Sequence, residues 1–478
     1  MRSVLARTGA LLAALAGCTA AAALTPALPS YTLTVIAVPT NAVSVQPNAI
    51  NSSGQITGAI EFSGQPSHAF LYSNGTLSDL GTLTYPGTSL QGAASGQAIN
   101  DAGAVAGSFA DAVSQSWSFG FTYQNATMTA LSGVTGFPLC TATGINETGL
   151  IVGGCSGSTG SVSAYSVIYS DGTPQQVGPA GGSASAVNGY AQVAAAGTAS
   201  GFIYQNGVVT PIPSLAATTS PAPPASPSAI NNAGQVVGWQ AAGAGFAAFL
   251  YVNGATQPLS SVPVSSVQPT ASINNAGQVV GDTVVNGLTT PFLIANGTLS
   301  NLNTLISPTD PNQRYVTITN AIAINDSGWI IAAGLDSRSQ LTGAYLLTPT
   351  TSLPVEVTVL AAATALVNTP FTVAWTDQSA TSCTASGGSG SDGWKGAVAT
   401  NGGQQQVTES TTGTYDFTLG CTGTSGAVSS TAKVMVSAKT PSGGLGGGGG
   451  SLGLLTLAAL FALSALGLAD RNRADPPP

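Results

Sequence analysis

Seven segments of this chain share one pattern: a small residue, Ile or Val, then Asn, a short turn, and a β-branched strand. Their asparagines are Asn51, Asn100, Asn146, Asn188, Asn231, Asn274 and Asn325, spaced by 49, 46, 42, 43, 43 and 51 residues. Six copies close the turn with glycine, at Gly54, Gly103, Gly149, Gly234, Gly277 and Gly328. The fourth, Asn188-Gly189-Tyr190-Ala191, is degenerate. A fixed period of this length marks a repeat architecture, in which one unit cannot bury its apolar face alone and must stack on its neighbours.

Each period has a second half. The first copy reads His68-Ala69-Phe70-Leu71-Tyr72 and then Asn74-Gly75, and later copies carry Gln124-Asn125, Asn206-Gly207, Asn253-Gly254 and Asn296-Gly297 after a similar β-rich run. Asn-Gly between two such runs signals a tight hairpin, because both turn residues need positive φ. The glycine that ends each Asn-x-x-Gly turn meets the same demand. Each period of about 45 residues therefore holds four short strands, the arithmetic of a propeller blade. The seventh copy runs from Tyr345-Leu346-Leu347 into Thr348-Pro349 without an Asn-Gly hairpin, and so lacks its fourth strand. A lone β-rich run, Tyr31 to Val38, precedes the first copy. It is expected to complete the last blade and lock a seven-bladed ring, which removes exposed sheet edges. An open β-solenoid of the same repeats is the alternative.

Composition narrows the function. Only 5% of residues are charged, 43% are hydrophobic, there are 9 Lys+Arg and the net charge is −8. Nucleic-acid binding requires cations that displace the counterions of phosphates, so no nucleic acid is expected as a partner. No cofactor motif and no metal-ligand spacing occurs.

The His68-Ala69-Phe70 run, Asp79-Leu80-Gly81-Thr82-Leu83 and the recurring Ala-Ile-Asn…Gly…Val-x-Gly units resemble the HAF family of extracellular repeats over residues 31–349. The resemblance implies an extracellular bacterial protein and carries no biochemical activity.

Residues 350–438 alternate like a small sandwich. Trp375, Cys383-Thr384-Ala385-Ser386-Gly387, Trp394, Gly413-Thr414-Tyr415 and Cys421 resemble an Ig-like module of bacterial surface proteins. Such modules serve as stalks, adhesins or carbohydrate-binding units, and a stalk is the expectation here. Cys383 and Cys421 are expected to pair within this module. Cys140 and Cys155 flank the Asn146 turn and could bridge adjacent strands; two free thiols are the alternative, which an oxidising compartment disfavours.

Both termini read as targeting segments. Arg2 and Arg7 precede an apolar run, so 1–23 reads as a signal peptide for signal peptidase. Leu15-Ala16-Gly17-Cys18 resembles a lipobox, which implies lipidation of Cys18; plain cleavage within 19–23 is the alternative. At the other end a Gly-rich linker (439–451), an uncharged stretch (452–469) and a basic tail (470–478) follow one another. The stretch is just long enough for a membrane helix, and the arginines fit the positive-inside rule. Together they resemble a GlyGly-CTERM tail, which implies a rhomboid-like sorting protease as a partner. A plain membrane anchor is the alternative.

His68 is the one histidine. The carboxylates are scattered, and Asp101, Glu147 and Asp326 each follow a turn asparagine, where capping of turns is the expected role. Calcium at these turns is the weaker alternative. A two-carboxylate glycosidase needs a paired site that no spacing supplies. The expectation is an exported, non-catalytic cell-surface scaffold, a propeller head on an Ig-like stalk that binds a surface glycan or protein. A glycan-processing hydrolase on a propeller is the alternative.

Overall fold

A computed structural model describes residues 29–84, 91–110, 118–157, 164–215, 223–259, 271–285, 287–350, 355–400, 402–423 and 426–439. The signal segment with Cys18, the Gly-rich linker beyond 439 and the 452–469 stretch lie outside them. Among the described residues no helix is long and apolar enough to cross a membrane. The chain divides into two units, Met1–Ser437 and Ala438–Pro478. The repeats and the sandwich both belong to the first.

The repeats form seven antiparallel sheets of four strands each. The first blade is Ser44–Ile50, Ile56–Phe62, Gln65–Ser73 and Thr76–Gly81, in that order across the sheet. The next five repeat this layout, starting at Ala93, Leu139, Ser183, Ser226 and Ala271. The seventh takes Val316–Ile324, Ile330–Asp336 and Leu341–Pro349 from its own copy and Tyr31–Ile36 from the N-terminus. Tyr31–Ile36 pairs antiparallel with Leu341–Pro349, from Tyr31↔Pro349 to Ile36↔Ala344. The first strand of each blade packs on the preceding blade, and that of the first blade packs on the seventh, so the sheets close into a propeller.

Packing follows from the repeat. One buried cluster lies between each pair of consecutive blades; that between the seventh and the first joins Ile36, Ile331 and Leu346 to Val45, Ile56 and Phe70. Phe70, Phe121, Phe202, Phe249 and Phe292 occupy matching places in third strands and are 0–1% exposed. These are the phenylalanines of the recurring second half-repeat. The Val-x-Gly signature also has a steric cause. In five blades the first strand carries a single register shift against the second, such as Pro227/Ala229 opposite Gly238. A Cβ on Gly238 would run into the Ser226 carbonyl oxygen. The bulge thus brings backbone against backbone, and glycine leaves the room; in the fourth blade Ala195 takes the matching place.

The second domain is a β-sandwich. A three-stranded sheet (Glu356–Ala361, Phe371–Gln378, Gly403–Val407) faces a five-stranded one (Thr364–Leu366, Gly426–Ser437, Gly413–Gly423, Ser382–Gly387, Gly396–Val398). Trp375, Trp394 and Phe417 fill the space between them, with ring centroids 5.6 Å and 6.1 Å apart along the series. Both expected disulfides are present. Cys140–Cys155 joins directly paired strands of the third blade, and Cys383–Cys421 does the same in the sandwich.

Candidate functional site

The seven turn asparagines meet around the propeller axis, each 3–5% exposed. Each side-chain amide donates from Nδ2 to the backbone carbonyl of the asparagine in the next copy. The bonds run from Asn51 to Asn100 (2.9 Å), Asn100 to Asn146 (3.1 Å), Asn146 to Asn188 (3.1 Å) and Asn188 to Asn231 (2.9 Å). They continue from Asn231 to Asn274 (3.1 Å) and Asn274 to Asn325 (3.0 Å), and Asn325 returns to Asn51 (2.8 Å). Each asparagine Oδ1 in turn accepts the N–H four residues on, at 2.8–3.0 Å. The amide carries donor and acceptor on separate atoms; an ionised Asp lacks the donor, and a Ser hydroxyl holds both roles on one atom of a shorter side chain. The residue closing each turn is left-handed, from φ 71° at Gly234 to 82° at Gly149, with Ala191 at 58° in the degenerate copy.

A second tier uses the residue after each asparagine. Its side chain accepts the backbone N–H of the matching residue one copy earlier: Asp101 from Ser52 (2.9 Å), Glu147 from Asp101 (2.8 Å), Asn232 from Gly189 (2.8 Å), Asn275 from Asn232 (2.7 Å) and Asp326 from Asn275 (2.7 Å). Gly189 has no side chain with which to continue the series from Glu147. The capping expected of Asp101, Glu147 and Asp326 is therefore real, but each caps its neighbour's turn. Inside the two tiers lies a cavity of about 210 Å³. Its apolar lining is one residue per blade, Ile50, Ile99, Ile145, Val187, Ile230, Ile273 and Ile324.

The sandwich rests on this end of the ring. Tyr190 donates its hydroxyl to the Trp375 carbonyl (2.6 Å), and Ser379 donates to the Asp326 carbonyl (3.0 Å). Thr400 donates to the Asp101 carboxylate. A smaller cavity of about 140 Å³ between ring and sandwich is lined by Asn232, Asn275, Glu356 and Asp377 among others. Asp377, 3% exposed, accepts the Gly402 N–H at 3.0 Å. Burial pushes the Asp326 carboxyl up to about 7, helped by the negative charges of Asp377 and Asp101 and opposed by the donors of Asn275. Burial also raises Asp101, against the hydrogen bonds from Thr400 and Ser52. Sequence reasoning missed this gathering of carboxylates; Thr400 and Asp101 are 299 residues apart.

Other sequence candidates lie elsewhere. His68 sits in the third strand of the first blade, with Nδ1 2.9 Å from Asp79. Among the described residues no three or more His, Cys, Asp or Glu side chains gather as a metal site.

Among the described residues, the opposite end of the ring carries the second-to-third-strand hairpins of the first and fifth blades, at 62–65 and 242–245, and the connection 131–138. Half-buried aromatic groups cluster there: Phe62 with His68 (4.8 Å between centroids), Phe137 with Tyr165 (4.7 Å) and Trp239 with Phe246 (5.2 Å). Tyr315 has Arg314 and Arg338 each 4.7 Å from its ring centre.

No protein-family model matches this sequence, and no curated protein matches it. Solved structures resemble it distantly. The Aleuria aurantia lectin in complex with alpha-methyl-L-fucoside is 12% identical, covering 55% of this chain and 96% of that one, with a TM-score of 0.34. A second structure of that lectin, described as a six-bladed β-propeller, is 10% identical over the same shares, with a TM-score of 0.32. A Mycobacterium tuberculosis puromycin-hydrolyzing peptidase is 10% identical, covering 73% of this chain and 60% of that one, with a TM-score of 0.38. Nothing about ligand or reaction follows from likenesses this distant.

Proposed function

We propose that this chain is an exported bacterial cell-surface scaffold that binds a surface glycan or protein without catalysis. In this reading the seven-bladed propeller is the head, the Ig-like sandwich is a stalk seated against it, and the C-terminal tail provides anchoring or sorting. The carrying observation is how the two ends of the ring differ. At the Asn end, side chains are engaged by neighbouring turns and by the sandwich. At the other end, aromatic pairs recur on several blades, and rigid aromatic groups supply contact area at low entropic cost. The two disulfides agree with an oxidising compartment. The HAF-like repeats support the same location.

One observation favours the hydrolase reading. Asp101, Glu147 and Asp326 line one cavity, and the Asp326 carboxyl lies near 7, where a general acid works well. Against it, all three spend oxygens on backbone N–H groups of adjacent turns. A glycan array together with a panel of hydrolase substrates separates the readings. The scaffold predicts retention of a ligand that weakens at least tenfold in Trp239→Ala, with no turnover. Turnover abolished by Asp326→Asn would establish the hydrolase instead.

A further inference from the structure

One pair of acids lies within the sandwich itself. Glu409, shortly after the strand Gly403–Val407, is 0% exposed, and Asp392, half-buried, sits between Ser382–Gly387 and Gly396–Val398. One amide joins them: the Ser389 N–H donates to Asp392 Oδ2 (3.0 Å) and to Glu409 Oε1 (3.1 Å). Asp392 Oδ1 accepts the Trp394 N–H at 2.9 Å. The loop backbone lies directly on the pair, since Gly388 takes φ 61° and a Cβ there would run into Asp392 Oδ2. Glu409 Oε2 takes no part in these bonds. It is buried, and among the described residues nothing donates a hydrogen bond to it. Neither carboxylate is in an ion pair with a described residue, and Lys395 reaches instead to the Gly390 carbonyl (3.3 Å).

A buried acceptor without a donor calls for a bound ion or water, and carboxylates that share one site are stable only with a proton or a cation between them. Ser389, Gly390 and Ser391 are exposed, so ions can reach the pair from solvent. We propose that Asp392 and Glu409 hold a calcium ion, with the Ser389 and Ser391 hydroxyls (3.3 Å apart) and water as further donors. The donors are all oxygen, and an irregular turn suits the loose shell of calcium better than the strict octahedron of magnesium. Two carboxylates place the dissociation constant on the order of 10⁻⁴–10⁻³ M, the range of extracellular modules. Asp392 lies between strands of the five-stranded sheet and Glu409 follows a strand of the three-stranded one. The ion therefore ties the two sheets together beside the buried Trp394.

Terbium emission from the full chain, stripped of metal by a chelator and held near neutral pH, tests this. Terbium(III) takes the same oxygen sites as calcium and emits when a nearby indole passes energy to it; Trp394, bonded through its N–H to Asp392, is that indole. The expected result is indole-excited emission that millimolar calcium displaces. The near-isosteric Glu409→Gln and Asp392→Asn variants should each weaken terbium binding about tenfold or more. Asp416→Asn, which removes an exposed acid paired with Lys433 in the same domain, should leave it unchanged. Hydrogen exchange of the unmutated chain locates the ion without any substitution: calcium should slow exchange in 387–395 and leave the blade strand Val236–Ala242 as it was. A pair that only shares a proton gives neither result. Emission that calcium does not displace, exchange in 387–395 that calcium does not slow, or terbium binding undiminished in both carboxylate variants each overturns the proposal.

Discussion

At the scale of residues, the asparagine circuit carries the most consequence. Asn231 is 3% exposed, donates to Asn274 and Gln235, and accepts from the Gln235 N–H. Asn231→Ala leaves buried backbone groups without partners, and a loss of about 3 kcal/mol is expected in urea denaturation. Asn231→Asp should cost more, because it removes the donor and buries a charge. The degenerate copy offers the opposite change. Ala191 sits at φ 58°. A left-handed Ala costs about 1–2 kcal/mol, and glycine gives back about 0.5–1 kcal/mol of chain entropy. Ala191→Gly should therefore stabilise by about 0.5 kcal/mol, visible as a raised urea midpoint. The places of the asparagines and glycines were legible because they recur. Where the amides point was not, since each donor reaches a carbonyl about one whole period away, and a local pattern carries no such partner. Asp377 was illegible for the same reason: an acid within a strand reveals its meaning only once a turn of another domain is set beside it.

At the scale of elements, hairpin chemistry transferred almost directly from sequence to structure. Asn74-Gly75, Asn206-Gly207, Asn253-Gly254 and Asn296-Gly297 all take positive φ at both positions. The third blade uses Asp171-Gly172, which the sequence pattern left unnamed, and the second uses Asn125-Ala126, one residue beyond the expected Gln124-Asn125, with the same signs of φ. Strand bulges were less visible, although the Val-x-Gly unit recorded them. Gly238→Ala sets a Cβ against the Ser226 carbonyl. Ala195 holds the matching place opposite the Ala184/Ala186 shift of the fourth blade, so the strand pair can give room to a methyl, and a loss of about 1–3 kcal/mol is expected by thermal or urea unfolding. The Cys140–Cys155 bridge spans a separation of 15 residues. Removing it with Cys140→Ser and Cys155→Ser together should cost about 3 kcal/mol, as chain entropy predicts for a loop of that length.

At the scale of the whole molecule, four strands per period, seven periods and one orphan strand led to the architecture. The alternative solenoid would leave the first and last copies apart. Instead Asn325 bonds to Asn51, and a buried cluster joins the seventh blade to the first. The seat of the sandwich had no sequence signal, because polar contacts made by Thr400, Ser379 and Tyr190 are of kinds found throughout this Ser- and Thr-rich chain. The sandwich, expected from sequence to be a stalk, is seated on the ring. Closure by Tyr31–Ile36 is what the account depends on most. In that pairing Thr32 faces Thr348, their hydroxyls 2.8 Å apart. Thr32→Cys combined with Thr348→Cys, expressed with export and analysed by mass spectrometry of unreduced peptides, tests it most directly. The closed ring predicts a spontaneous intramolecular disulfide linking the two peptides, with native stability or better. Free thiols at both positions in a folded, exported chain would contradict it.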